Sequence, residues 1–121
     1  MSTNDQCIVI DLDDAFFAPS VELSLLDLLI ENNVQWYPSA TVVTQESDGA
    51  LQFWGCSVES IEKALSMNSK DNGLLQYLGW SNLVATTYAY VDEHEVVASD
   101  WRTALVTKEA YLNARGRHQH G

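Results

Sequence analysis

The stretch from Ala40 to Leu65 constrains this chain most, because it reads as strand, tight turn, strand and helix in unbroken succession. Thr41-Val42-Val43-Thr44 is rich in β-branched residues, whose stiff side chains suit a pleated surface. Ser47-Asp48-Gly49 and then Leu51-Gln52-Phe53-Trp54 follow. Gly49 is the natural occupant of a left-handed position, so the preferred connection is a three-residue loop with a bulge. That register pairs Val43 with Phe53 and Gln45 with Leu51 on one face, leaving Val42 and Trp54 on the other. A two-residue Asp48-Gly49 turn would pair Val43 with Trp54 instead. Both faces carry apolar groups, so each is expected to be covered at least in part. Ser57 reads as the N-cap of a helix from Val58 to about Ser66. Val58, Ile61, Ala64 and Leu65 form its apolar stripe, with Glu59, Glu62 and Lys63 off it.

Before this stretch, the apolar run Cys7-Ile8-Val9-Ile10-Asp11 reads as a buried strand. Ser20 is the expected cap of a helix from Val21 to about Asn32. Its polar stripe is Ser20, Ser24, Asp27 and Glu31, with Glu22 in the first turn. After the stretch, Asn68 to Gly73 is a loop by composition, and Leu74 to Leu78 a short helix closed by Gly79. Leu83 to Trp101 reads as a second hairpin, with Asp92-Glu93-His94 at its tip and Glu95 to Ser99 returning. Thr107 caps a last short helix, Lys108 to Ala114, and residues 115–121 form a frayed polar tail. The expected fold is a single α+β domain spanning residues 1–121. Its mainly antiparallel sheet has about five strands, two hairpins plus the N-terminal strand, packed by two main helices and short ones. Leu25, Leu28, Leu29, Val43, Phe53, Ile61 and Leu65 are the expected core, together with Trp54 and Trp101.

Composition bounds the function. With 46% hydrophobic residues and four tryptophans in 121 residues, the chain can build a core and is not of disordered type. Its start has no basic segment and no long apolar run, so a cytoplasmic protein without a signal peptide or membrane span is expected. Cys7 and Cys56 fit a reducing compartment with free buried thiols, a disulfide between them being the alternative. The net charge of −11 is lopsided: residues 1–62 hold 11 acids and no Lys or Arg, while residues 63–121 hold 6 of each. Such a field repels nucleic acid and anionic membrane and attracts basic partners. It also serves solubility.

The candidates for chemistry are few. Ile8-Val9-Ile10-Asp11-Leu12-Asp13-Asp14 resembles the first motif of haloacid-dehalogenase-type phosphatases. The resemblance implies Asp11 as nucleophile, Asp13 as proton handler and a bridging Mg²⁺. Ala15 departs from the family's usual Thr or Val, and Thr44 ends the following strand where a hairpin replaces the phosphate-binding loop. The preferred reading is a strand end meeting solvent. His94, and His118 with His120, offer weak metal ligands, but no spacing fits zinc and no Gly-rich loop cradles phosphate. Cys56 precedes a helix start that would lower its pKa, and a pair with His94 is conceivable. No cofactor, no metal and no direct nucleic-acid binding are expected.

Surface recognition remains. Asp13, Asp14, Asp27, Glu31, Glu46, Asp48, Asp92, Glu93 and Glu95 can display carboxylates in imitation of nucleic-acid phosphates, with Trp36 as an aromatic anchor. The leading expectation is a non-enzymatic inhibitor of a basic, nucleic-acid-handling partner. A phage or mobile-element anti-defence protein, a DNA mimic or an immunity protein all fit. The rivals are an Mg²⁺-dependent phosphohydrolase using Asp11 and Asp13, and an assembly subunit whose second hairpin extends a partner's sheet. The oligomeric state stays open.

Overall fold

The computed structural model describes residues 18–67 and 74–120. Within them the chain is α+β, with four antiparallel strands in one sheet, two short strands in another, and helices packed on the larger sheet. The expected N-terminal strand, Cys7 to Asp11, and the loop Asn68 to Gly73 lie outside the described residues.

Strands β1 (Val42–Gln45) and β2 (Ala50–Trp54) form the organising hairpin in the expected register, Val43 opposite Phe53 and Gln45 opposite Leu51. The turn is closed by Gly49 N–H to the Glu46 carbonyl and Glu46 N–H to the Ala50 carbonyl, each 2.9 Å. The Asp48 carboxylate accepts Ala50 N–H at 3.0 Å. Gly49 has φ +95°, and a Cβ there would lie 3.2 Å from the Val96 carbonyl oxygen, so glycine serves both conformation and space.

Both hairpin faces are covered. Val43, Leu51 and Phe53 pack with Leu25, Leu28, Leu29, Trp36 and Tyr111 on one side. Val42 and Trp54 pack with Ile61, Ala64 and Leu74 on the other. Ile61 and Ala64 come from α2 (Val58–Met67), whose cap is Ser57: its Oγ accepts Ser60 N–H at 3.1 Å. Leu65, expected in the core, is only half-buried at the rim of this second cluster.

The first helix, α1 (Leu25–Glu31), starts four residues later than expected. Its cap is Ser24, not Ser20: Ser24 Oγ accepts Asp27 N–H at 3.1 Å, and the Asp100 carboxylate accepts Leu25 N–H at 2.8 Å. Residues before it are claimed by other backbone. Val21 N–H bonds the Val97 carbonyl at 3.0 Å, and Ser99 N–H bonds the Leu23 carbonyl at 2.8 Å. Glu22 is therefore not in the first helical turn. Leu25, Leu28 and Leu29 are fully buried, as the leucine pattern predicts.

The expected second hairpin is replaced by two arrangements. β3 (Leu83–Tyr88) pairs with β2, giving the sheet order β3-β2-β1-β6 with β6 at Val106–Thr107. β4 (Tyr90–Val91) and β5 (His94–Glu95) form a separate two-stranded unit. Asp92 and Glu93 turn between them with φ of 52° and 70°, the twist that suits a two-residue hairpin loop. The break falls at fully buried Ala89, whose carbonyl takes Val96 N–H at 3.3 Å. The return segment does not run back along β3; Val97 bridges Ser20 in parallel, and its N–H bonds the Pro19 carbonyl at 2.9 Å. The edge of β2 needed a backbone partner, and β3 supplies it after α2 and α3 (Leu75–Leu78) carry the chain around.

Gly79 closes α3 at φ +84°. Thr107 caps α4 (Lys108–His120) by accepting Ala110 N–H at 3.1 Å. This helix runs beyond Ala114, so residues 115–120 are helical where a frayed tail was expected. Tyr111 on α4 stacks on Trp36 at 5.5 Å and donates its hydroxyl to the Val34 carbonyl. No helix among the described residues is long and apolar enough to cross a membrane.

Two packing predictions follow from this core. Leu28→Ala and Leu29→Ala should each lower stability by ~2–5 kcal/mol in urea unfolding. Gly49→Ala should also destabilise, by the ~1–2 kcal/mol that a left-handed conformation costs an L side chain, with its methyl tight against the Val96 carbonyl. Unchanged midpoints would show that α1 or the turn is misassigned.

Candidate partner-binding face

Two amides, one buried and one half-buried, hold distant segments together. Gln45, at the end of β1, is fully buried. Its Nε2 donates to the Gly49 carbonyl at 3.2 Å and the Val96 carbonyl at 2.9 Å, while its Oε1 accepts Ala98 N–H at 2.8 Å. One side chain thus closes its own turn and pins residues 96–98 against it. Asn32, at the C-terminal end of α1, holds β4 from the other side. Its Oδ1 accepts Tyr90 N–H at 2.9 Å, and its Nδ2 donates to the Tyr90 and Leu28 carbonyls at 3.1 Å.

The outcome is one acidic and aromatic face. Glu95 Cβ lies 3.6 Å from where a Cβ at Gly49 would stand, so the first turn packs against the end of β5. Tyr88 stands opposite Ala50, next to the first turn, and its phenol is pushed above the ordinary tyrosine range. The Asp48 carboxylate is the largest cause, followed by partial burial, Glu95 and Tyr90, since negative charge nearby disfavours the phenolate. Tyr88 and Tyr90 are 36% and 47% exposed, and Asp92 and Glu93 are exposed in the adjoining turn. Aromatic rings rimmed by carboxylates are the residue types that anchor and orient protein partners.

The other expected site residues fall differently. Asp27 and Glu31 are exposed, one turn apart on α1, with Glu31 next to Asn32 and Asp27 farther away. Glu46 is half-buried in the turn, as Asp48 is beside it and Glu95 is on β5. Asp13 and Asp14 lie outside the described residues. Trp36 is a correction: it is 6% exposed, edge-on to Phe53 at 5.2 Å, with its Nε1 donating to the Ala40 carbonyl at 2.9 Å. A ring held in the core offers nothing to a partner. The exposed tryptophan is Trp80, at 75%.

The chemical candidates gain little. Asp11 and Asp13 lie outside the described residues. The Thr44 hydroxyl, where the phosphatase resemblance would look for a phosphate ligand, is fully buried and accepts Trp54 Nε1–H at 2.9 Å. Cys56 is a free, half-buried thiol. Burial pushes it above the usual thiol range, against a smaller lowering from a backbone hydrogen bond, so the helix start does not activate it. His94 stands beside Glu95 at the turn end of β2, whereas Cys56 lies past the other end, so the two do not pair. The side chains of His118 and His120 are not among those described. No group of three or more His, Cys, Asp or Glu among the described residues is placed to hold a metal.

Sequence reasoning missed Tyr88 and Tyr90 as surface groups and Gln45 and Asn32 as their supports. Gln45 carried one signal: a polar residue on the same face as Val43, Leu51 and Phe53 must find buried partners. No family model matches this chain, and no curated protein or solved structure matches it either.

A titration checks the convergence of the two turns. Tyr88 should ionise above the normal phenol range when followed by NMR. Asp48→Asn should bring it down more than Glu95→Gln does. A Tyr88 that titrates normally, or one indifferent to Asp48, would place the turns apart.

Proposed function

We propose that this protein is a cytoplasmic, non-enzymatic binding protein that docks an acidic face on a basic, nucleic-acid-handling partner and blocks it. The observation that carries this reading is the gathering of Asp48, Glu95, Tyr88 and Tyr90 at one end of the fold, beside the exposed Asp92 and Glu93. Carboxylates on a rigid scaffold occupy Arg- and Lys-lined grooves as phosphates would, and neighbouring tyrosines add apolar contact without adding charge. An anti-defence protein of a phage or mobile element, a DNA mimic and an immunity protein against a nuclease all use this physics. The net charge of −11 supports long-range steering towards such a partner.

The test begins with capture of the partner from the native host at low and high salt. The partner should be basic. Association should slow sharply with salt, because the screening length falls from about 10 Å at 0.1 M to about 3 Å at 1 M. Asp48→Asn with Glu95→Lys should slow association at low salt by about tenfold or more, while Asp27→Lys with Glu31→Lys should do less. Both pairs should fold, since these groups are exposed or half-buried. An acidic partner, or binding flat across salt and both variants, would contradict the proposal.

A further inference from the structure

The outer edge of β3 is the longest open edge among the described strands. β3 spans Leu83–Tyr88, six residues that include no charge and no proline. Its inner side is committed to β2, with Tyr88 opposite Ala50, Thr87 opposite Leu51, Thr86 opposite Gln52 and Ala85 opposite Phe53. In an antiparallel pair, alternate residues point their N–H and C=O away from the partner strand. No described strand pairs on that outer side. Thr86 and Tyr88 are exposed, in contrast to the buried pattern of β1. The opposite edge, β6, has two residues and passes straight into α4. Proteins usually blunt a long edge with lysine, proline or an inward charge, and β3 has none of these.

Charge decides what covers this edge. Its C-terminal end, Tyr88, stands opposite Ala50, next to the turn that holds Asp48 and whose Gly49 packs against Glu95. A second copy would bring a further net charge of −11 to the same acidic surroundings, which opposes pairing. An extended segment carrying Lys or Arg instead complements them. We infer that β3 takes an extended basic segment of the partner as an added strand, with its cationic side chains meeting Asp48 and Glu95 beside Tyr88. This rests on the docking function proposed above and names how the partner engages: main-chain pairing along β3 supplies affinity, and charge at the Tyr88 end supplies selectivity.

A peptide probe tests this on the full chain. The parent is a capped peptide of alternating valine and threonine flanked at each end by lysine. One analogue carries glutamate for lysine, and two carry backbone N-methyl groups on alternate residues, in the two possible phases. The parent should slow amide exchange along β3, and the glutamate analogue should not. One N-methyl phase should weaken binding by about tenfold or more and the other should not, because only one edge of the peptide donates. No binding of the parent, or equal binding of both N-methyl analogues and the parent, overturns the added strand. Protection of β3 that grows with protein concentration alone also overturns it, because a second copy then fills the edge, and so does full protection of β3 in the dilute protein without peptide, because a segment of this chain outside the described residues then fills it. If the added strand fails while salt-dependent preference for lysine over glutamate persists, the docking function stands. If that preference is absent too, both fall.

Discussion

A single buried amide, that of Gln45, sets the geometry on which the acidic face depends. Each of its hydrogen bonds adds only about 0.5–1.5 kcal/mol net, but leaving its partners unpaired in the core costs about 1–3 kcal/mol apiece. The partners are main-chain groups of Gly49, Val96 and Ala98, from segments about fifty residues apart in sequence. The amide therefore discriminates among packings more than it stabilises any one of them. Because its site lies in the same cluster side as Val43, Leu51 and Phe53, the segment that carries Glu95 has one place to go. Gly49 completes the fit, since its φ of +95° suits glycine and an added Cβ would stand a tight 3.2 Å from the Val96 carbonyl.

The rest of the molecule holds that arrangement rigid. The β1–β2 hairpin is buried on both faces, and its aromatic residues tie the layers by hydrogen bonds as well as area. Trp54 reaches Thr44, Trp36 reaches the Ala40 carbonyl and Tyr111 reaches the Val34 carbonyl. The polar tip of each of these three rings is satisfied, which is what permits such large side chains inside. Asn32 extends the same logic to the surface, coupling the end of α1 to β4. Carboxylates and tyrosines presented from such supports lose little freedom on meeting a partner, and pre-organisation of this kind raises affinity without new contacts.

Much of the fold was legible in the sequence because local signals agreed there. The Ser47-Asp48-Gly49 turn set the hairpin register, Ser57 and Thr107 marked helix starts, and Gly79 marked an end. Ser20 misled because it sits before the same leucine run as Ser24, and only tertiary bonds to Val97 and Ser99 decide between them. The alternation from Val84 to Val91 looked like one strand, but the buried Ala89 and the competing edge of β2 split it. The candidate site was legible as acidic turns, not as a face. Contact between Gly49 and Glu95 is non-local, and nothing in either turn announces the other. Trp36 went inside because Tyr111 and Phe53, both distant in sequence, provide its pocket.

The most direct test of this account is the nuclear Overhauser contact between the Gly49 α-protons and the Glu95 β-protons, recorded in the native protein and in Gln45→Leu. A strong contact in the native protein that vanishes in a variant still folded around Val43 and Phe53 is the predicted result. A contact absent from the native protein, or one that survives unchanged in Gln45→Leu, would contradict the claim that this amide joins the two acidic turns into one face.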